Sequence, residues 1–176
     1  MSLNQISYSL PADLQDQIRA AIDQWTGDDL TQRIWLKDAA VWTNSGESKW
    51  LGWLDIVERE TERSKIYRRF SASIEGGGFT NVLLMGMGGS SLCPEVLATT
   101  FGKKTFHILD STVPNQVRTI EGKLDLANTL FIVASKSGST LEPNCFKQYF
   151  FDRVSQISST PGQQFVAITD PGSKME

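Results

Sequence analysis

Two short runs hold the side chains best suited to chemistry, Gly86-Met87-Gly88-Gly89-Ser90-Ser91 and Ser135-Lys136-Ser137-Gly138-Ser139-Thr140. Hydroxyls, backbone amides and one ammonium group can satisfy the oxygens of a phosphate monoester without a basic surface around them. Each run follows an apolar stretch, Val82-Leu83-Leu84-Met85 in the first case and Leu130-Phe131-Ile132-Val133-Ala134 in the second. In a parallel α/β sheet the carboxyl ends of strands lead into helix N-termini, whose unpaired N–H groups and dipole favour an anion. The two runs together predict one crevice for a phosphorylated small molecule.

The elements that must position these loops follow from periodicity and breakers. Beyond Gly76-Gly77-Gly78, apolar strands are predicted at 81–85, 105–109, 129–134 and 165–169, alternating with helices near 91–101, 114–121 and 142–157. Continuous apolar strands separated by helices predict a doubly wound α/β unit with a parallel sheet covered on both faces. Before the glycine breaker the signals are helical. Leu14, Ile18, Ala21, Ile22 and Trp25 recur at helical spacing after Pro11, and a second helix is predicted from Asp28 to about Trp42. One or two surface helices are expected between Ser48 and Ile74, and Trp25, Trp35, Trp42, Trp50 and Trp53 are read as bulky packing of this helical segment. The division predicted is therefore a helical segment over 1–78 and an α/β domain over 79–176.

Charge sharpens the anion argument. Lys and Arg total 17 against 20 Asp and Glu, a formal charge of -3, so no general positive field draws phosphate in and recognition must be local. The basic stripe that nucleic acid binding needs is missing from the sequence. Its apolar runs fall short of the roughly 20 residues of a membrane span, and the N-terminus has no signal-peptide pattern, so a cytoplasmic protein is expected. Cys93 and Cys145 lack CxxC spacing and the single histidine, His107, gives them no company, so no metal is expected; both cysteines are read as buried small hydrophobes, and His107 as a structural residue.

Two kinds of nucleotide site compete with the anion crevice. A P-loop is excluded because no G-x-x-x-x-G-K-[ST] string occurs. A dinucleotide site would use Gly86-x-Gly88 and Asp110, but Ser91 stands where the third glycine belongs and Pro94 follows in the next helix. Such a site also has no use for a second anion loop one crossover later. Ser139-x-x-Glu142 additionally matches a helix capping box, which is compatible with an anion site wherever some donors stay free.

The stretches from Met85 to Pro94 and from Phe131 to Glu142 resemble the glycine and serine loop and the phosphate loop of phosphoglucose isomerases. Arg33-Ile34-Trp35-Leu36-Lys37-Asp38 and Leu51-Gly52-Trp53-Leu54-Asp55 are similar to the isomerase half of bifunctional transaldolase and phosphoglucose isomerase proteins. The resemblance implies a flavodoxin-like sugar isomerase (SIS) domain, one strand short of its full sheet. It assigns phosphate to Ser135, Lys136, Ser137 and Thr140, the sugar to Gly88, Gly89 and Ser90, and a catalytic acidic role at the sugar end to Glu142. Ser137 and Ser139 replace the threonines usual in the family, and the hydroxyl that Ser137 keeps preserves phosphate binding.

The implied activity is interconversion of glucose 6-phosphate and fructose 6-phosphate, without cofactor. The resemblance places the remaining acid, base and cationic groups of that reaction downstream, so the chain is expected to be an N-terminal, inactive part of an isomerase. A homo-oligomer and a fused transaldolase domain in the parent protein are further implications. Two other functions stand beside this one: a non-catalytic sugar-phosphate sensor, and the dinucleotide-binding domain.

Overall fold

A computed structural model describes residues 9–176, which form two compact units, one through Ile66 and one from Tyr67 onward. The first unit carries helices α1 (Ala12–Gly27), α2 (Leu30–Trp35) and α3 (Ile56–Glu62), joined by loops with short 3-10 turns, and α4 (Ser64–Gly76) crosses the division between units. The expected helix from Asp28 to Trp42 is cut short. It stops at Trp35 because Lys37 takes a left-handed φ of 59° and Asp38 folds back, accepting from the Ala40 N–H at 2.9 Å and pairing with Arg33 at 2.8 Å. A short polar side chain that bonds the neighbouring backbone competes directly with helix propagation.

The tryptophans correct a second expectation. Trp25, Trp35, Trp42, Trp50 and Trp53 are all exposed, and α1 buries no residue. Among the described hydrophobic residues of the first unit, only Leu51 and Leu54 are buried.

The second unit is the α/β domain that the strand pattern predicts. Strands β1 (Asn81–Gly86), β2 (Phe106–Leu109), β3 (Thr129–Ala134) and β4 (Phe165–Ile168) form a parallel sheet in the order β2-β1-β3-β4. The crossovers are helices α5 (Gly89–Thr100), α6 (Pro114–Glu121) and α7 (Leu141–Ser155). Right-handed connections put α5, which leads outward from β1 to β2, on one face, and α6 and α7, which lead the other way, on the opposite face.

Alternation along the strands fills the α6 and α7 face. Leu83, Met85, Leu109, Phe131 and Val133 point there and close on Ile120, Phe146, Phe150 and Val154. Phe131 stacks on Phe165 at 4.8 Å and meets Phe150 at 5.4 Å. Each fully buried side chain of this size contributes about 1.5–3 kcal/mol. At the rim, Glu121 clasps the two helices together by accepting from Tyr149 Oη at 2.6 Å and Arg153 Nε at 2.7 Å. Gln164 closes the opposite end of the sheet, its buried amide donating to the carbonyls of Leu126 and Thr129 at 2.8 and 2.9 Å.

Candidate functional site

The strand order fixes where a ligand belongs. From β1 the chain moves to one side to make β2, and from β3 it moves to the other side to make β4, so the direction reverses between β1 and β3. Open α/β sheets bind ligands in the crevice at the carboxyl ends of the strands at such a reversal. Gly86 is the register partner of Ala134, so the glycine loop and the serine loop start side by side at that point.

The glycine loop is shaped by two backbone requirements. Gly88 caps α5 with φ 56° and ψ -122°, a conformation open essentially to glycine, and no side chain caps the helix. Gly86 lies so near the helix that a Cβ there would meet the Ser90 Cβ and carbonyl oxygen at 3.1 Å. The close approach that a dinucleotide fingerprint achieves with its third glycine is made here by Gly86. Ser91 is buried, with its hydroxyl donating to the Gly88 carbonyl at 3.0 Å. Pro94 falls inside α5, where it offers no N–H to the Ser90 carbonyl.

In the serine loop the hydroxyls are organised in pairs. Ser135 is buried beneath the loop, 3% exposed, and donates to Thr140 Oγ1 at 3.0 Å. The bond leaves the Thr140 hydroxyl its own proton to donate outward. Ser137 and Ser139 are exposed and share a hydrogen bond of 2.9 Å, and the Ser139 N–H donates to Ser137 Oγ at 3.3 Å. The N-cap of α7 is Thr140 and no side chain caps it, so the expected Ser139 and Glu142 capping box does not form. Its absence frees donors at the positive end of a 15-residue helix. Glu142 sits half-buried in the first turn.

Asn144, one turn into α7, ties the loop to the helix. Its amide donates to the Gly138 carbonyl at 3.1 Å and the Thr140 carbonyl at 2.8 Å. Gly138 itself has φ 66° and is buried under the turn after β4, where a Cβ would lie 2.6 Å from Ser173 Oγ. That turn is held by the Asp170 N–H donating to the Lys136 carbonyl at 2.9 Å and by Thr169 Oγ1 donating to Ser173 Oγ at 2.7 Å.

A cavity of about 370 Å³ opens at these strand ends, walled by Gly89 and Ser90 from the first loop, Lys136 from the second, and Thr169 and Asp170 after β4. It joins Gly89, Ser90 and Lys136 from the sequence-predicted set. Gly88, Ser135, Ser137, Thr140 and Glu142 stand in or beside the two loops, outside its walls. Sequence reasoning missed Thr169, Asp170 and Asn144; the Asp170-Pro171-Gly172 turn signal just past a predicted strand was the available pointer to the first two. Cys93, also in the cavity wall, and Cys145 are both exposed, which corrects their reading as buried hydrophobes. Helix α5 turns Cys93 outward into the crevice. Among the described residues, no group of three or more His, Cys, Asp or Glu side chains is placed to hold a metal ion.

The fold is a doubly wound parallel α/β domain whose small-residue loops, with no side-chain caps on their helices, pair at its reversal point. Known proteins narrow the class. No family model matches the chain. A glucose-6-phosphate isomerase of a Synechococcus species is 38% identical over 133 residues, covering 69% of this chain and 24% of that protein. The glucose-6-phosphate isomerase of Treponema pallidum is 33% identical over 109 residues, 57% of this chain and 20% of the relative. Among solved structures, a glucose-6-phosphate isomerase from Chlamydia trachomatis superposes with a TM-score of 0.61 at 26% identity, over 69% of this chain and 25% of that one. A hypothetical protein of Thermus thermophilus superposes with a TM-score of 0.70 at 27% identity, over 88% of this chain and 36% of that one. The chain belongs to the phosphoglucose isomerase family. It spans about a quarter or less of the length of these curated relatives.

Proposed function

We propose that this chain supplies the phosphosugar-binding loops of a glucose-6-phosphate isomerase, the whole protein interconverting glucose 6-phosphate and fructose 6-phosphate. The observation that carries the reading is the side-by-side start of the two loops at Gly86 and Ala134, with uncapped helices behind both. In this reading Ser137, Thr140 and the loop amide of Lys136 hold the phosphate, and Ser135 sets the Thr140 hydroxyl by donating to it. Gly88, Gly89 and Ser90 border the sugar, where the lack of large side chains lets the ring approach the backbone.

The reaction moves a proton from C2 to C1 of the open-chain sugar. A base takes the C2 proton, the electron pair left behind forms the C1–C2 double bond while the C1 carbonyl pair moves to O1 and takes a proton, and the resulting enediol loses its O2 proton as the C2 carbonyl forms and C1 is protonated, giving the ketose. Glu142 is assigned to the acidic end of this relay. The further base and the cations that stabilise developing negative charge belong to portions of the isomerase outside the 176 residues. The division proposed is a helical segment over 1–78 and an SIS-type domain over 79–176, in a cytoplasmic homo-oligomer joined in the parent protein to a transaldolase domain. Among the described residues, no helix is long and apolar enough to cross a membrane.

Calorimetric titration of the chain with glucose 6-phosphate and fructose 6-phosphate tests the loops, with unphosphorylated glucose and NAD as controls. Saturable binding that requires the phosphate and weakens about tenfold or more in the Ser137→Ala, Thr140→Ala double variant is expected, since each lost charge-assisted bond costs about 1.5 kcal/mol or more. Binding of NAD alone, or of none of these ligands, overturns the assignment.

A further inference from the structure

A second cavity lies away from the candidate site. It is a groove of about 550 Å³ along the outer edge of β2, between the end of α5 and α6. Lys103, Lys104 and Lys123 line it, with His107, Gln116 and Glu95. Three lysines thus line one groove with a single carboxylate residue, in a chain whose net charge is -3. None of the three makes an ion pair among the described residues, although other basic groups in the chain, such as Arg33, Lys37 and Arg153, do.

Lysines at a sheet edge commonly do no more than repel a second strand. Here their setting is concave, and its floor holds polar groups suited to a ligand. His107 Nε2 lies 3.2 Å from Asn81 Oδ1, and the Thr119 hydroxyl, donating to the Asn115 carbonyl at 2.7 Å, keeps its lone pairs for a donor. The volume lies within the range of small-molecule sites. Desolvation and then the nearby Lys123 charge hold the His107 pKa below its ordinary value, so positive potential already reaches the ring.

We propose that this groove is a second ligand site, taking a small polyanion with two or more phosphate or carboxylate groups. Three lysines on one groove, against one carboxylate, call for more negative charge than one carboxylate ligand group brings. The site stands on residues distinct from the crevice and does not rest on the isomerase reading.

His107 is the chain's single histidine, so its ring proton resonances report on the groove without assignment ambiguity. The chain is titrated with pyrophosphate and with citrate, and with sodium chloride at matched ionic strength. The expected result is a saturable shift with at least one polyanion and a rise in the His107 pKa as bound negative charge offsets Lys123, working against Lys103 and Lys104 and alongside Glu95. Pyrophosphate alone saturating assigns the site to polyphosphates, citrate alone to polycarboxylates. The Lys104→Ala, Lys123→Ala double variant, with Lys123→Glu as a second form, is expected to weaken the dissociation constant at least tenfold with unchanged far-UV circular dichroism. The Ser137→Ala, Thr140→Ala variant should leave it unchanged. A shift that sodium chloride reproduces, an affinity indifferent to the lysines, or one abolished by the loop variant overturns the proposal.

Discussion

Gly138→Ala puts the architecture of the serine loop to a direct test. The backbone there has φ 66°, and a new Cβ would lie 2.6 Å from Ser173 Oγ, 2.8 Å from Ser173 Cβ and 3.1 Å from the Met175 nitrogen. The left-handed conformation costs an alanine about 1–2 kcal/mol, and forcing a methyl into an occupied site costs about 1–3 kcal/mol more. We expect a loss of about 2–5 kcal/mol. Urea unfolding followed by far-UV circular dichroism reads it, because the tryptophans all lie in the first unit and would report elsewhere. With a slope of about 1–2 kcal/mol/M, the midpoint of the second unit should fall by at least about 1 M. Ser173→Gly removes the atoms in closest conflict. In the Gly138→Ala background it should recover about 1 kcal/mol or more relative to its effect alone, a coupling expected only of residues in contact. An unchanged midpoint, or additive effects of the two substitutions, would refute the contact and the strain together.

Three further outcomes follow from the same contacts. Asn144→Ala removes both bonds that hold the Gly138 and Thr140 carbonyls, and should cost about 1–2 kcal/mol while weakening phosphosugar binding in the calorimeter; Asn144→Asp, which turns a donor toward two carbonyls into an acceptor, should be worse. Cys93 should react with a thiol reagent at a rate slowed by glucose 6-phosphate, whereas exposed Cys145, outside the crevice walls, should not be protected; equal protection would contradict the placement of the ligand. The Glu121 clasp should be pH-sensitive. Partial burial pushes the Glu121 carboxyl up, but the Tyr149 hydroxyl and Arg153 outweigh it and hold the pKa below 4.5. A depressed carboxyl contributes stability above its unfolded value that is lost as pH falls through the folded value, so Tyr149→Phe should narrow the stability difference between pH 6 and pH 3. An identical pH profile in the variant would show that the clasp is not coupled to folding.

The α/β half was legible because its signals are local. Each strand is mostly apolar with a breaker near its end, His107 in β2 being the one polar residue inside a strand, and the observed strands match the expected ones to within a residue at each boundary. The meeting of the two loops followed from topology alone, since parallel strands separated by helices leave few ways to order a sheet. What stayed hidden depends on contacts far apart in sequence. Nothing in Cys93 or Cys145 tells which side of a helix faces water, and the exposed tryptophans carry the composition of a core without its packing. The truncation of the second helix at Trp35 turned on Asp38 choosing the Ala40 N–H and Arg33, a competition of about 1 kcal/mol that periodicity cannot resolve. The walls contributed by Thr169 and Asp170 arise only when β4 pairs with β3 and carries its turn back over Lys136.

On the proposed reading an acidic chain that is to hold a dianion needs helix donors that no side chain has taken, and the two loops provide them by different means. At the first, Gly88 reaches a backbone angle that caps α5 without a side chain, so no hydroxyl competes for the helix N–H groups, although those of Ser90 and Ser91 turn back to the Met87 and Gly88 carbonyls at 3.1 Å. At the second, Thr140 occupies the cap position, yet its oxygen is already engaged by the buried Ser135 hydroxyl, and the capping bond is not made. Ser135→Ala separates this arrangement from one in which Ser135 touches phosphate itself. Without its donor, the Thr140 oxygen is free to turn inward and accept from the Glu142 N–H, the next residue Pro143 having none, which caps the helix at an expected gain of about 0.5–1 kcal/mol in helix stability. Phosphosugar affinity should fall at the same time. A variant that loses affinity with no compensating gain in the stability of the domain would mean instead that Ser135 reaches the ligand directly, after the loop moves.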